Sequence, residues 1–169
     1  VKLVGGPKTF PLLGQYFPGL DFSSALTVKE GDELSLGSHV LHFVSAPMVH
    51  WPEVMMSYES TEKILFSADA FGKFGALDAQ EDWDCEARRY YFNIVGKYGT
   101  QVQTVLKKAA GLDITTICPL HGPVLTETIP HVLDLYRIWS SYGVESEGVF
   151  IAYASLHGNT AAAAEQLAD

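Results

Sequence analysis

The chain has 169 residues, 47% of them hydrophobic and 12% aromatic, and a formal net charge of −9. That is room for one ordinary domain and a piece of another around a packed core, which excludes extensive disorder. The acidic balance and the isolation of the Arg88-Arg89 pair exclude a nucleic-acid binder, while two distant cysteines, Cys85 and Cys118, exclude a disulfide framework or a thiolate zinc site and leave the reducing cytoplasm as the expected compartment.

No apolar run reaches membrane-spanning length, so no membrane partner is expected. Val1 to Val4 reads as a short strand ended by Gly5-Gly6-Pro7, and Phe10 to Phe17 as a short helix stopped by Pro18-Gly19. Ala25 to Val28, Glu33 to Leu36 and Val40 to Val44 run or alternate apolar between the turn signals Gly31-Asp32 and Gly37-Ser38, predicting a β-meander. Met55 to Tyr58 and Lys63 to Ser67 predict further strands, with polar loops at 45–53 and 68–81. From Asp82 to Gly111 the apolar spacing turns helical through Tyr91, Ile94, Val95, Tyr98, Val102, Val105 and Leu106, with a bend expected at Gly96 or Gly99. Ile114 to Cys118 predicts a short buried strand, and Pro130 to Tyr142 a helix with proline in its first turn and Gly143 at its end.

The polar stretch Gly143 to Gly148 is the expected linker, dividing the chain into 1–146 and 147–169. Beyond it, Gly148 to Ala152 predicts a strand, Tyr153 to Thr160 a small polar loop, and Ala161 to Leu167 a helix. That order builds a phosphate cradle from loop N–H groups and a helix N-terminus. One such βα unit cannot close a nucleotide-binding domain, so the chain is expected to belong to a longer protein.

Three polar residues sit at strand ends or in the loops that follow. They are His50 in Ala46-Pro-Met-Val-His-Trp-Pro52, Asp69 in Leu65-Phe-Ser-Ala-Asp-Ala-Phe-Gly72, and His121 in Cys118-Pro-Leu-His-Gly-Pro123. Loops leaving strands on one edge of a sheet converge, and two imidazoles with one carboxylate suit zinc, iron or manganese. Taken singly, each also reads as a structural histidine or a turn-capping aspartate. Glu53 is placed to orient His50 or to cap the next segment, and Trp51 and Phe71 to wall a dry pocket. His39, His42 and His131 read as hydrogen-bonded surface residues, and Trp83, Tyr90, Tyr91, Phe92 and Tyr98 as helix packing.

Taken together, His-Trp-Pro-Glu53, Ile-Leu-Phe-Ser followed by Ala-Asp-Ala-Phe-Gly72, Pro-Leu-His-Gly-Pro123 and the loop at 153–160 closely resemble the flavodiiron proteins, or A-type flavoproteins, and the order of segments matches too. The resemblance implies an α/β chain: the C-terminal part of a metallo-β-lactamase-like αββα domain over 1–146, then the start of a flavodoxin-like FMN-binding domain over 147–169. It implies that His50 ligates one iron, that Asp69 bridges both, and that His121 ligates the other. It also implies that Ser155, Leu156, His157, Gly158, Asn159 and Thr160 form the loop that holds the FMN phosphate. The implied cofactors are therefore FMN and a non-haem diiron centre.

The family's remaining iron ligands come from an upstream His-x-Glu-x-Asp motif, which these residues do not contain; before His50 there are only His39 and His42, in a strand-like stretch. Half of the dinuclear site is thus absent from this chain. Lys73 and Phe74 stand where some relatives carry a histidine. The implied activity is an oxidoreductase that reduces dioxygen to water or nitric oxide to nitrous oxide, with electrons relayed through FMN. Rubredoxin or another reduced donor is the implied partner, and a head-to-tail homodimer or a homotetramer the implied assembly. Two rivals are a zinc-dependent hydrolase of the metallo-β-lactamase fold, working through a metal-bound hydroxide, and an inactive piece that keeps the fold without either cofactor.

Overall fold

The computed structural model describes residues 2–169. Along the chain run β1 (Val4–Gly5), α1 (Thr9–Tyr16), β2 (Leu26–Thr27), β3 (Glu33–Ser35), β4 (Val40–Ser45), β5 (Met55–Glu59) and β6 (Ile64–Phe66). They are followed by α2 (Trp83–Ile94), α3 (Gly99–Ala109), β7 (Thr116–Cys118), α4 (Ile129–Ser140) and α5 (Asn159–Ala168). The main sheet has the order β3-β4-β5-β6-β7, antiparallel up to β6 and parallel between β6 and β7. A parallel pair needs a long crossover, and α2 with α3 supplies it.

Ladder partners point to the same face of a sheet, so the register sorts the side chains. Val44↔Met56, Tyr58↔Leu65 and Leu65↔Ile117 place Met56, Tyr58, Leu65 and Ile117 on one face. All four are buried there against Tyr91, Val95, Val102, Val105, Val132, Tyr136 and Trp139 of the helical layer. Helix α2 starts where Asp82 caps it, accepting from the backbone N–H groups of Asp84 and Cys85 at 3.0 and 3.2 Å. Asp84 and Glu86 in its first turn complement the helix dipole.

The expected long helix is broken at the two glycines named above. Gly96–Tyr98 forms a 3-10 turn, and α3 restarts at Gly99. Gly99 lies so close to α4 that a Cβ there would meet the Ser140 carbonyl oxygen at 2.5 Å. Two expectations need correction. Residues 25–28 do not join the meander: β2 pairs parallel with β1 in a separate two-stranded sheet, because Leu26 and Val28 donate to the carbonyls of Leu3 and Gly5. The strand expected at Gly148 to Ala152 does not form, and Val149 and Phe150 are 90% and 91% exposed. A strand requires a neighbour, and among the described residues none lies alongside. The helix expected after them does form, as α5, with no residue buried. The part of the strand expected at Val1 lies outside the described residues.

Candidate metal centre

Asp69 sits in the loop that leaves β6, and its backbone is held from several sides. Ser67 donates its N–H to Cys118 O (3.2 Å) and its hydroxyl to Ala70 O (2.8 Å), while Tyr90 donates its hydroxyl to the carbonyl of Asp69 itself (2.9 Å). Two non-glycine residues of this loop, Ala68 and Phe71, have left-handed φ values of 52° and 68°. Such conformations persist where surrounding contacts over-determine them. Here the Phe71 N–H is fixed to the buried Tyr136 hydroxyl at 2.8 Å.

His121 arrives on the loop after β7. That loop is laced to the Asp69 loop by Leu120 N–H to Ala68 O (2.8 Å) and Lys73 N–H to His121 O (3.3 Å). His50 arrives on the loop after β4, anchored by the fully buried Ala46 and Val49 and by the bond from Val49 N–H to Ala46 O at 3.1 Å. The three expected residues therefore converge. His50 Nε2 stands 3.7 Å from Asp69 Oδ2, and His121 Nε2 stands 3.3 Å from Asp69 Oδ1. Asp69 is the most enclosed at 16% exposure, against 29% for His50 and 59% for His121. Beside them opens a cavity of about 480 Å³ whose lining includes Lys73, Phe74, Leu77 and Tyr90.

Each oxygen of one carboxylate thus faces a different imidazole. Among the described residues no group of three or more His, Cys, Asp or Glu side chains gathers around a single ion position. One imidazole nitrogen and one carboxylate oxygen meet on each side, and among the described residues no third protein donor joins either pair.

Several readings change. Tyr90, read as helix packing, lines the cavity and packs against His121 at a ring separation of 5.9 Å. Burial and the nearby Asp69 charge push its phenol well above the usual range, so it stays a protonated donor. Its neighbour Tyr91 points into the core instead, since adjacent helix positions differ by about 100°. Phe71 does not wall the cavity but is buried against Tyr136 at 4.8 Å, while Trp51 is half exposed and forms a T-shaped pair with the His50 ring at 6.0 Å. Glu53 Oε2 is buried with no hydrogen-bond partner among the described residues. His39, His42 and His131 take the ordinary role expected of them, facing Glu59, Glu33 with Ser60, and Asp84. Ser155, Leu156, His157, Gly158, Asn159 and Thr160, expected to hold a phosphate, are all exposed, and Gly158, at φ 83°, precedes α5. Cys85 and Cys118 are both free.

The model of the ODP family beta lactamase matches residues 15–122. The chain belongs to this family. An uncharacterized protein of Methanocaldococcus jannaschii is 32% identical over 163 residues, covering 93% of this chain and 41% of that protein. The nitric oxide reductase of Moorella thermoacetica is 30% identical over 171 residues, covering 96% and 42%. Among solved structures, the rubredoxin oxygen:oxidoreductase of Desulfovibrio gigas superposes with a TM-score of 0.76 at 27% identity, covering 83% of this chain and 37% of that one. The flavodiiron protein of Giardia intestinalis does so with a TM-score of 0.75 at 26% identity, covering 83% and 36%. The ODP-family chain thus spans about two fifths of the length of these two curated relatives. Its mixed α/β fold is that of the metallo-β-lactamase-like part of flavodiiron proteins. No helix among the described residues is long and apolar enough to cross a membrane.

Proposed function

We propose that this chain carries one half of the dinuclear iron site of a flavodiiron oxidoreductase that reduces dioxygen to water or nitric oxide to nitrous oxide. The observation that carries the reading is the placement of His50 and His121 on opposite oxygens of Asp69. A carboxylate addressed from both sides suits a bridge between two ions. The small polar loop at 153–160 ahead of α5, a flavin-type feature, counts against the zinc hydrolase. On this reading Asp69 would serve both metal positions, and His50 and His121 would each hold one. Hard carboxylate and imidazole donors keep both ferrous and ferric states accessible, so the pair, when bound, supplies the electrons that reduction of a diatomic gas demands.

The chain's own contribution is to fix Asp69 through its backbone, to line the adjoining cavity with Phe74 and Leu77, and to present the Tyr90 hydroxyl at the base of the site. Ser155, Leu156, His157, Gly158, Asn159 and Thr160 are proposed to hold the FMN phosphate with backbone N–H groups and the side chains of Ser155, Asn159 and Thr160. The flavin, when bound, relays electrons from a reduced donor such as rubredoxin. A second subunit placed head to tail completes the proposed assembly. Support comes from the family membership and from relatives named as a nitric oxide reductase and a rubredoxin oxygen:oxidoreductase.

Anaerobic titration with Co(II), a spectroscopic stand-in for Fe(II), tests the metal reading. The wild-type chain is expected to bind it, with Asp69→Asn abolishing the ligand-field bands and His131→Ala leaving them unchanged. Equal binding by wild type and Asp69→Asn overturns the assignment.

A further inference from the structure

One charged side chain beside the cavity takes no part in the proposed ligand set. Lys73 is only 8% exposed, an unusual position for an ammonium group unless it is paired. Its Nζ donates to Glu81 Oε2 at 3.1 Å and to the Phe74 carbonyl at 3.0 Å. Its stem lies on Gly122, where a Cβ would stand 3.1 Å from Lys73 Cγ and from its backbone nitrogen. Residues 73–77 between these anchors all line the cavity that holds His50, Asp69 and His121. Glu81 immediately precedes Asp82, the cap of α2, so the pair joins the loop that leaves Asp69 to the start of the helix that carries Tyr90.

A second feature requires the same arrangement independently. Gly75 has φ 95°, and a Cβ built there would lie 1.9 Å from Glu81 Oε2. The carboxylate therefore occupies the space that any other residue at position 75 would fill, and the left-handed backbone there favours glycine as well. Glycine at 75 and a buried cation at 73 both serve one geometry, a segment folded back on itself and closed by an ion pair.

We propose that the Lys73–Glu81 pair is a positioning clamp that closes residues 73–81 into the outer wall of the cavity and so limits access to His50 and Asp69. As a clamp on the loop the inference stands alone; as a gate for small substrates it rests on the metal-site reading above. Its two residues touch neither the ligand oxygens nor a reacting atom, so their role is indirect. Glu81→Gln leaves the buried Lys73 ammonium without its charge partner, and Lys73→Met removes the bond that ties the partly exposed Glu81 to the loop; either change favours opening of the segment. An open wall would admit reagents larger than a diatomic molecule.

Hydrogen exchange and histidine modification by diethyl pyrocarbonate, on wild type, Lys73→Met, Glu81→Gln and Gly75→Ala, test it. Exchange of the Lys73 and Ala79 amides, which are hydrogen-bonded to His121 O and Ala76 O, is expected to rise about tenfold in each variant, with β5 and β6 unchanged. The His50 modification rate should rise alongside, while His131, on α4 and away from the wall, serves as an internal reference that does not move. If Lys73→Met fails to fold, Glu81→Gln and Gly75→Ala carry the test. Unchanged exchange at the Lys73 and Ala79 amides, or His50 and His131 accelerating equally, overturns the clamp. Co(II) titration of the same variants separates the two readings. A wall that opens in a chain that binds no cobalt sinks the metal site and spares the clamp, and cobalt bound behind a wall that never opens does the reverse.

Discussion

Replacing Tyr136 by phenylalanine removes a single oxygen, yet the structure makes that oxygen the acceptor for the Phe71 N–H at 2.8 Å. Tyr136 is fully buried, Phe71 is 1% exposed, and the ring packs against Phe71, Tyr91 and Trp139 at 4.8, 5.0 and 5.6 Å. The ring would stay in place, so the cost comes from the stranded amide rather than from a cavity. A buried donor left without a partner costs about 1–3 kcal/mol. For a chain of this size, each 1 kcal/mol lowers the melting temperature by about 2–4 °C. The loss should also be local, because the left-handed Phe71, held by this bond, lies two residues from Asp69. Urea unfolding followed by circular dichroism is expected to show a midpoint shift at constant slope, and hydrogen exchange should quicken over 67–72. A loss below about 0.5 kcal/mol would refute the reasoning, since it would mean that the Phe71 amide is satisfied otherwise and that Tyr136 does not order the Asp69 loop.

Gly99→Ala should destabilise by about 1–3 kcal/mol, because the new methyl meets the backbone of α4 rather than a movable side chain; a thermal melt within 1 °C of wild type would contradict the close approach. Glu59 gives a pH-dependent prediction. Burial pushes its carboxyl up, but the N–H groups of Glu62 and Thr61, the Thr61 hydroxyl and His39 outweigh burial and hold it down to about 2. A depressed carboxyl contributes stability in full above the unfolded value of 4.5 and loses it as pH falls towards about 2. The difference in melting temperature between wild type and Glu59→Gln should therefore be flat from about pH 7 to about pH 5 and shrink on further acidification. A gap that widens below about pH 4 would reverse the sign of the argument.

The helical spacing of 82–111 and its glycine break were legible because a helix writes its buried face into local periodicity and a close contact writes itself as glycine. His50, Asp69 and His121 were legible as loop residues following strands, since strand order decides which loops meet. Tyr90 was not, because two adjacent tyrosines on one helix look alike until the helix is rotated against the sheet. The pairing of β2 with β1, and the failure of 148–152 to form a strand, turn on which neighbours are present, and the local pattern holds no record of neighbours. Lys73 and Glu81, eight residues apart in a polar loop, resemble any two solvated charges. Only the burial of Lys73, 8% exposed against 33% for Glu81, separates the pair from the rest.

The three candidate ligands are not held equally, and the difference orders the effects of removing them. Asp69 is fixed by bonds from Tyr90 and through Ser67 and Phe71, whereas neither His50 nor His121 has a hydrogen bond to its second ring nitrogen among the described residues. Histidines that bind metals usually donate that N–H to a neighbouring acceptor, which fixes the tautomer and the ring angle. On the proposed reading the bridge is therefore preformed and the two imidazoles adjust to it. Loss of the carboxylate should remove both ion positions together, while His50→Ala or His121→Ala should each weaken one and leave the other measurable. His121, more than half exposed, gives up less enclosure than His50 and should show the smaller loss. A phosphate loop at 155–160 would face the opposite situation, since its backbone must be ordered before its N–H groups can converge. Ordering costs affinity, so this chain should respond to metal well before it responds to flavin.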